Sequence, residues 1–112
     1  MHAAFVPDRG AGHFAAVTRA LKAKLPDCTV ELLTPDFRGD EERALATVLG
    51  ARPEVFSHNI ETVRRLHRRM RGAKASYDGA LHLLRRAKVV ADYPVMTKTG
   101  LIAGLGETNE EI

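Results

Sequence analysis

Apolar residues at Phe14, Val17, Leu21 and Leu25 step by three and four along the chain, the spacing that lines one face of a helix, and they predict a first helix over 13–24. Pro26 and Asp27 end it. Residues 29–33 then read as a short strand. Pro35, Asp36 and Gly39 mark a loop, and Asp40 stands where a second helix would be capped, its apolar side built from Ala44, Leu45, Val48 and Leu49 and its end marked by Gly50. A second strand falls at 55–57 and a third helix at 63–70. A fourth helix over 77–90 stacks Leu81, Leu84 and Ala87 on one side. A third strand covers 96–104.

Short strands alternating with helices, and no Asn-Gly-type hairpin turn between them, imply crossover connections and parallel pairing. The fold class is therefore α/β. Three strands leave open sheet edges, so the expected architecture is a slice of a larger barrel or sheet with flanking helices. Thr108 followed by Glu111 is a capping-box pattern at the start of a further helix, and an isolated helical turn is unstable in water. The 112 residues are thus expected to form one incomplete domain of a longer protein.

Composition narrows the chemistry. With 45% hydrophobic residues, only 5% aromatic and no Trp, the core is aliphatic. One cysteine, Cys28, excludes an internal disulfide and any site built from several thiolates within these residues; its plain reading is a small semi-buried residue at a strand start. No apolar run is long enough to span a membrane, and the setting expected by default is the cytoplasm. A formal charge of +3 is mildly basic.

In parallel α/β folds ligands bind where the strands end and the following loops converge. Three such loops are visible. The first places Asp36 and Arg38 around Phe37, as a ligand-contacting acid or as a local ion pair over a packed ring. The second gathers His58, Asn59 and Glu61 directly after a strand, where amide and carboxylate could hold a ribose hydroxyl or an ammonium group, or could equally satisfy the turn and cap the next helix through Glu61 or Thr62. The third, with Gly100, Ile102, Gly104, Gly106 and Glu107, allows a ligand close to the backbone or simply makes a turn. Arg64, Arg65, His67, Arg68, Arg69, Arg71 and Lys74 form a basic run without interleaved aromatics, which argues against a base-stacking platform.

Four stretches together resemble the lipoyl synthases of the radical S-adenosylmethionine superfamily: Gly10-Ala11-Gly12-His13-Phe14-Ala15, Pro35-Asp36-Phe37-Arg38-Gly39-Asp40, His58-Asn59-Ile60-Glu61-Thr62-Val63, and Thr97-Lys98-Thr99-Gly100-Leu101-Ile102-Ala103-Gly104-Leu105-Gly106-Glu107-Thr108. The resemblance implies a central slice of a partial (β/α)6 barrel. It implies sulfur insertion into an octanoyl group on an acidic lipoyl carrier domain, with S-adenosylmethionine, two 4Fe-4S clusters and an electron-donor protein. It makes Asn59 and Glu61 contacts to the ribose or methionine portion, and Gly100, Ile102, Gly104 and Glu107 the strand-and-turn pattern beside the adenine, with Ile102 packing and Lys98 facing the barrel interior. The cysteine triads of that family are absent from these residues, so this segment is expected to be inactive alone. The basic helix becomes a candidate docking surface for the carrier, carried by Arg65, Arg68 and Arg69. Where the family reads Asp-Gly-Gly, this chain has Asp8-Arg9-Gly10, and Lys74-Ala75-Ser76 precede Tyr77 where the family places Asp-Tyr directly. Two further readings compete: a non-catalytic basic domain binding nucleic acid through phosphates, and an unrelated phosphate-binding barrel.

Overall fold

A computed structural model describes residues 6–72 and 76–112. Expectations resting on 1–5, and on Lys74 and Ala75 in the linker, lie outside the described residues. The elements run α1 (Ala11–Lys24), β1 (Glu31–Leu33), α2 (Glu41–Gly50), β2 (Val55–Ser57), α3 (Arg64–Arg71), α4 (Tyr77–Val90), β3 (Met96–Lys98) and a closing 3₁₀ turn (Asn109–Glu111). The strands form one parallel sheet in the order β1-β2-β3, the α/β slice that the pattern implies. Glu31 pairs with Val55 and Met96, and Leu33 pairs with Ser57 and Lys98.

Because side chains alternate across a strand, this register divides the sheet into two unlike faces. Leu32 and Phe56 point into a core with Ala11 of α1, Ala44, Leu45, Val48 and Leu49 of α2, and Leu83, Leu84 and Ala87 of α4. Phe56 and Leu45 are wholly buried. Glu31, Leu33, Met96 and Lys98 belong to the other face and stay exposed; Leu33 and Met96 keep 60% and 64% of their surface. Lys98 does lie on this open face, and its Nζ reaches diagonally to Glu31 Oε1 at 3.1 Å.

Four expectations need correction. The stripe of Val17, Leu21 and Leu25 is exposed, 40 to 50% of each surface remaining, while α1 buries Ala11, Ala15 and Thr18. Small residues let α1 and α2 approach closely, so the helix turns its narrow side inward. In α4 the buried face is Ala80, Leu83, Leu84 and Ala87, with Leu81 at its margin. β3 stops at Lys98 rather than reaching residue 104, and beyond it only a parallel bridge between Glu61 and Leu101 continues the pairing. Asp40 occupies the N-cap position of α2 without a side-chain cap bond.

The start of α1 shows why Asp8 belongs there. Its carboxylate accepts from the amides of Gly10 and Gly12, each at 2.9 Å, and those bonds hold its pKa below the ordinary carboxylate value. Arg9, between Asp8 and Gly10, adopts φ +59, the left-handed conformation that a glycine takes at no steric cost.

Candidate functional site

At the carboxyl end of the sheet a cleft of about 300 Å³ is lined by Leu33, Thr34, Pro35, Asp36, His58, Asn59, Glu61 and Arg71. The β1 loop forms one wall. Phe37 is buried at φ +50 and meets the edge of Phe14 with ring centroids 6.2 Å apart; Asp36 Oδ1 accepts from the amide of Arg38 at 3.2 Å. The packed ring of the structural reading is present, and Asp36 still faces the cleft.

The β2 loop is the unusual part. Thr62 N–H donates to Ile60 C=O at 2.8 Å, closing a three-residue turn around Glu61, whose φ is +68. Positive φ at the centre of such a turn is the sparsely populated hand, and for a residue with a Cβ it is strained. Neighbours hold it there. Glu61 N–H donates to Gly100 C=O at 3.0 Å, Ile102 N–H donates to Glu61 C=O at 2.7 Å, and Ile60 N–H donates to Thr99 Oγ1 at 3.1 Å. His67, buried in α3, lies 3.0 Å from the Ile60 carbonyl through Nε2. Arg71 sits 3.2 Å from the same nitrogen. One nitrogen cannot donate to the carbonyl and accept from the guanidinium together, and the shorter contact to a carbonyl makes Nε2 the protonated position. Burial, then the Arg71 charge, pushes the His67 pKa down against the opposing Ile60 bond.

The side chains of Asn59, Glu61 and Thr62 make no hydrogen bond among the described residues. Val63, not Glu61 or Thr62, is the N-cap of α3, and it makes no cap bond. Thr62 Oγ1 is buried without a partner, as is Nε2 of His58, whose Nδ1–H donates to Thr34 C=O at 2.8 Å. Asn59 lies directly over Gly100, where an added Cβ would sit 2.9 Å from its Oδ1. Only glycine leaves Asn59 in that place.

Of the six residues expected at the site, Asn59, Glu61, Gly100 and Ile102 come together. Ile102 bonds through its backbone, and its side chain is exposed rather than packed. Gly104 and Glu107 form a separate unit. The Glu107 carboxylate accepts from the amides of Leu105 at 2.9 Å and Gly104 at 2.6 Å, and those bonds, Gly104 foremost, hold its pKa below normal. Next to it Arg65 donates to both oxygens of Glu111 at 2.8 and 3.0 Å and to Gly106 C=O at 2.8 Å. Glu111 also takes the Thr108 amide at 2.8 Å, completing the capping box, and its pKa falls to about 2, chiefly through Arg65. Sequence reasoning passed over His67, Arg71 and the clamp role of Arg65. The charge run contained all three, but only the folded turn separates them.

Among the described residues no group of three His, Cys, Asp or Glu side chains converges to hold a metal ion, and Cys28, expected semi-buried at a strand start, is instead exposed in the bend ahead of β1. The donor set for an iron–sulfur cluster is not within these residues.

The family model of the radical SAM superfamily matches residues 6–112. The chain is 51% identical over 107 residues to the lipoyl synthase of Thermus thermophilus, covering 96% of this chain and 32% of that protein. It is 52% identical over 106 residues to the lipoyl synthase of Haemophilus ducreyi, covering 94% and 31%, and 49% identical over 105 residues to the mitochondrial lipoyl synthase of Phytophthora infestans, covering 94% and 27%. It spans about a third of the length of the curated relatives it matches. With a match along nearly its whole length and the expected strand-end turn in place, the chain belongs to the radical SAM superfamily.

Proposed function

We propose that this chain forms part of the S-adenosylmethionine pocket of an enzyme that inserts two sulfur atoms into a protein-bound octanoyl group, the lipoyl synthase reaction. The observation that carries the reading is the turn at Glu61: a strained backbone, pinned from four directions, that presents the side chains of Asn59 and Glu61 with no hydrogen-bond partner among the described residues. Strain is retained where the surrounding structure over-determines it, and sites are where that occurs.

Asn59 offers a donor and an acceptor toward the hydroxyls of a ribose. Glu61 accepts from a hydroxyl or an ammonium group, and the close approach of Asn59 to Gly100 fixes its angle. The backbone beyond, Gly100 to Ile102, carries exposed apolar side chains at Leu101 and Ile102 against which a base could lie. The iron–sulfur clusters would supply the electron and the sulfur, and no step through them is assigned to these residues. A single cysteine, Cys28, cannot supply their thiolate ligands. Gly104 and Glu107 shape the loop rather than touch the ligand.

The direct test is S-adenosylmethionine titrated into the chain with amide NMR shifts as readout. Shifts should concentrate at Asn59, Glu61, Gly100 and Ile102 and vanish in the double variant Asn59→Ala/Glu61→Ala. Shifts spread over the surface, or centred elsewhere, would overturn the pocket. The activity is tested by exchanging the matching segment of the Thermus thermophilus enzyme for this one. A chimera that folds with its clusters yet yields no lipoyl product would refute it. The nucleic-acid and phosphate-barrel readings gain no support from the site, where two carboxylates, Asp36 and Glu61, outnumber the one guanidinium, Arg71, that a phosphate could use.

A further inference from the structure

The basic run of α3 is five arginines and a histidine in eight residues, with like charges three and four apart that repel along the helix. The fold treats them unequally. Arg64 and Arg65 lie at the positive end of the helix dipole, where cations are least favoured, and both are neutralised. Arg64 donates to Asp78 at 2.7 Å and stacks on Tyr77 at 4.6 Å, while Arg65 is clamped to Glu111 and the Gly106 carbonyl. Arg71 sits against His67 and lines the cleft. Arg68 and Arg69 are exposed and have no ion-pair partner among the described residues. Met70 beside them keeps 46% of its surface.

We propose that Arg68, Arg69 and Met70 form a docking surface for an acidic protein domain. The proposal rests on the function above, and so the domain is the one that bears the octanoyl group on a lysine. Three features favour a protein partner. Guanidinium forks match carboxylates in bidentate geometry; Arg and Met are enriched in protein interfaces, where acids are depleted unless paired; and α3 exposes no aromatic ring for base stacking, since Tyr77 is covered by Arg64 on its face and meets the His67 ring edge to face. Position gives the surface its use. Arg68 stands one helical turn before Arg71, which lines the cleft containing Asn59 and Glu61, so a domain seated on Arg68 and Arg69 brings its lysine-linked acyl arm to the mouth of that cleft. Arg65, expected in the docking set from sequence, is excluded because it staples the 104–111 loop.

Binding of a fluorescently labelled octanoylated carrier domain to the chain, measured by anisotropy at 50 and 200 mM salt, tests this. Arg68→Glu/Arg69→Glu should weaken binding at least tenfold at low salt and flatten the salt dependence, because rim charges act on encounter and are screened. Arg68→Gln/Arg69→Gln should fall between. Arg19→Glu/Lys24→Glu, the same charge change on exposed α1 residues, should leave affinity unchanged. Circular dichroism of each variant separates a lost helix from a lost contact. Equal losses from both reversals, or none from the Arg68/Arg69 pair, overturn the surface, and a duplex oligonucleotide that binds as tightly and competes would reassign it to nucleic acid. The S-adenosylmethionine shifts at Asn59 and Glu61 are read in the same samples: carrier docking without them leaves the surface standing and removes the pocket, and shifts without docking do the reverse.

Discussion

The two ends of the parallel sheet hold clefts of similar size and opposite temper. At the amino end, a cleft of about 390 Å³ is lined by Lys22, Ala51, Arg52, Glu54, Tyr93 and Pro94, and its charges are spent on one another. Lys22 pairs with Glu54, which also accepts from the amide of Val30 at 3.3 Å. Arg52 pairs with Asp92 at 2.8 Å and covers the Tyr93 ring at 4.6 Å, and Tyr93 O–H donates to Pro53 C=O at 2.5 Å. At the carboxyl end the turn is strained and Asn59 and Glu61 are uncommitted. A satisfied cluster can only hold the fold together, whereas uncommitted polar groups on an over-determined backbone can meet something else. This is the division of labour that α/β barrels show between their two faces.

The comparison is broken most severely by Tyr93→Ala. It removes a half-buried ring, its cation–π contact and its bond to Pro53, and should cost about 2 to 3 kcal/mol by the scale of large-to-small substitutions and lost hydrogen bonds. Chemical denaturation should register that loss, while the S-adenosylmethionine shifts at Asn59 and Glu61 stay where they are. A loss of those shifts in a folded Tyr93→Ala protein would show that the two ends are not independent.

Glu61→Gly is the mirror experiment. It removes the carboxylate and relieves φ +68, so relief of strain and the added entropy of glycine nearly cancel and stability should hold within about 1 kcal/mol. Affinity for S-adenosylmethionine should fall at least about tenfold, a loss of about 1.4 kcal/mol in binding. A destabilised protein with unchanged affinity would make Glu61 a structural residue. Gly100→Ala should act more mildly, lowering affinity about threefold by displacing Asn59 from its 2.9 Å approach, and ¹⁵N shifts of the Asn59 side-chain amide would follow that displacement.

How much of this contrast sequence could convey depends on the kind of information each end requires. The order of elements, the bounds of β2 and α4, the capping box and the grouping of His58, Asn59 and Glu61 follow from period, turn chemistry and a distinctive motif. The direction in which α1 faces does not. Val17, Leu21 and Leu25 have perfect helical spacing, yet Ala11, Ala15 and Thr18 make the contact, because close helix approach selects small residues and periodicity records only that a face is apolar. Nor could spacing tell that Glu107 would fold back onto its own loop amides while Glu61, of the same chemistry, would be left free. That difference lies in backbone conformation: φ +92 and +113 at Gly104 and Gly106 curl the chain around a carboxylate, and the pinned turn at 61 turns one outward. The paired cluster at the amino end leaves no sequence signal, since Lys22, Arg52, Glu54 and Tyr93 are up to 71 residues apart and no motif joins them.

Titration sharpens the comparison with the smallest effects, in opposite directions at the two ends. Burial pushes the Tyr93 pKa up to about 12, Arg52 opposing and Glu54 and Asp92 adding to it. A folded pKa above the unfolded value of 10 means that stability is fully present below pH 10 and drains away as pH rises toward 12. At the carboxyl end Glu111 falls to about 2 from 4.5, first through Arg65 and then through the Thr108 amide. Its folded pKa is depressed, so its contribution is complete above pH 4.5 and is lost as pH falls toward 2. Thermal midpoints read across both limbs should show the alkaline loss abolished by Tyr93→Phe, which removes the titrating group, and the acid loss reduced by Glu111→Gln. Because Glu111 is at the surface, salt screens its pair with Arg65, so 0.5 M sodium chloride should shrink the acid limb and leave the alkaline one nearly intact. An acid limb indifferent to both salt and Glu111→Gln would mean that the 104–111 loop is held by its glycine turns and Glu107 alone, and that the Arg65 clamp adds nothing to the carboxyl end of the sheet.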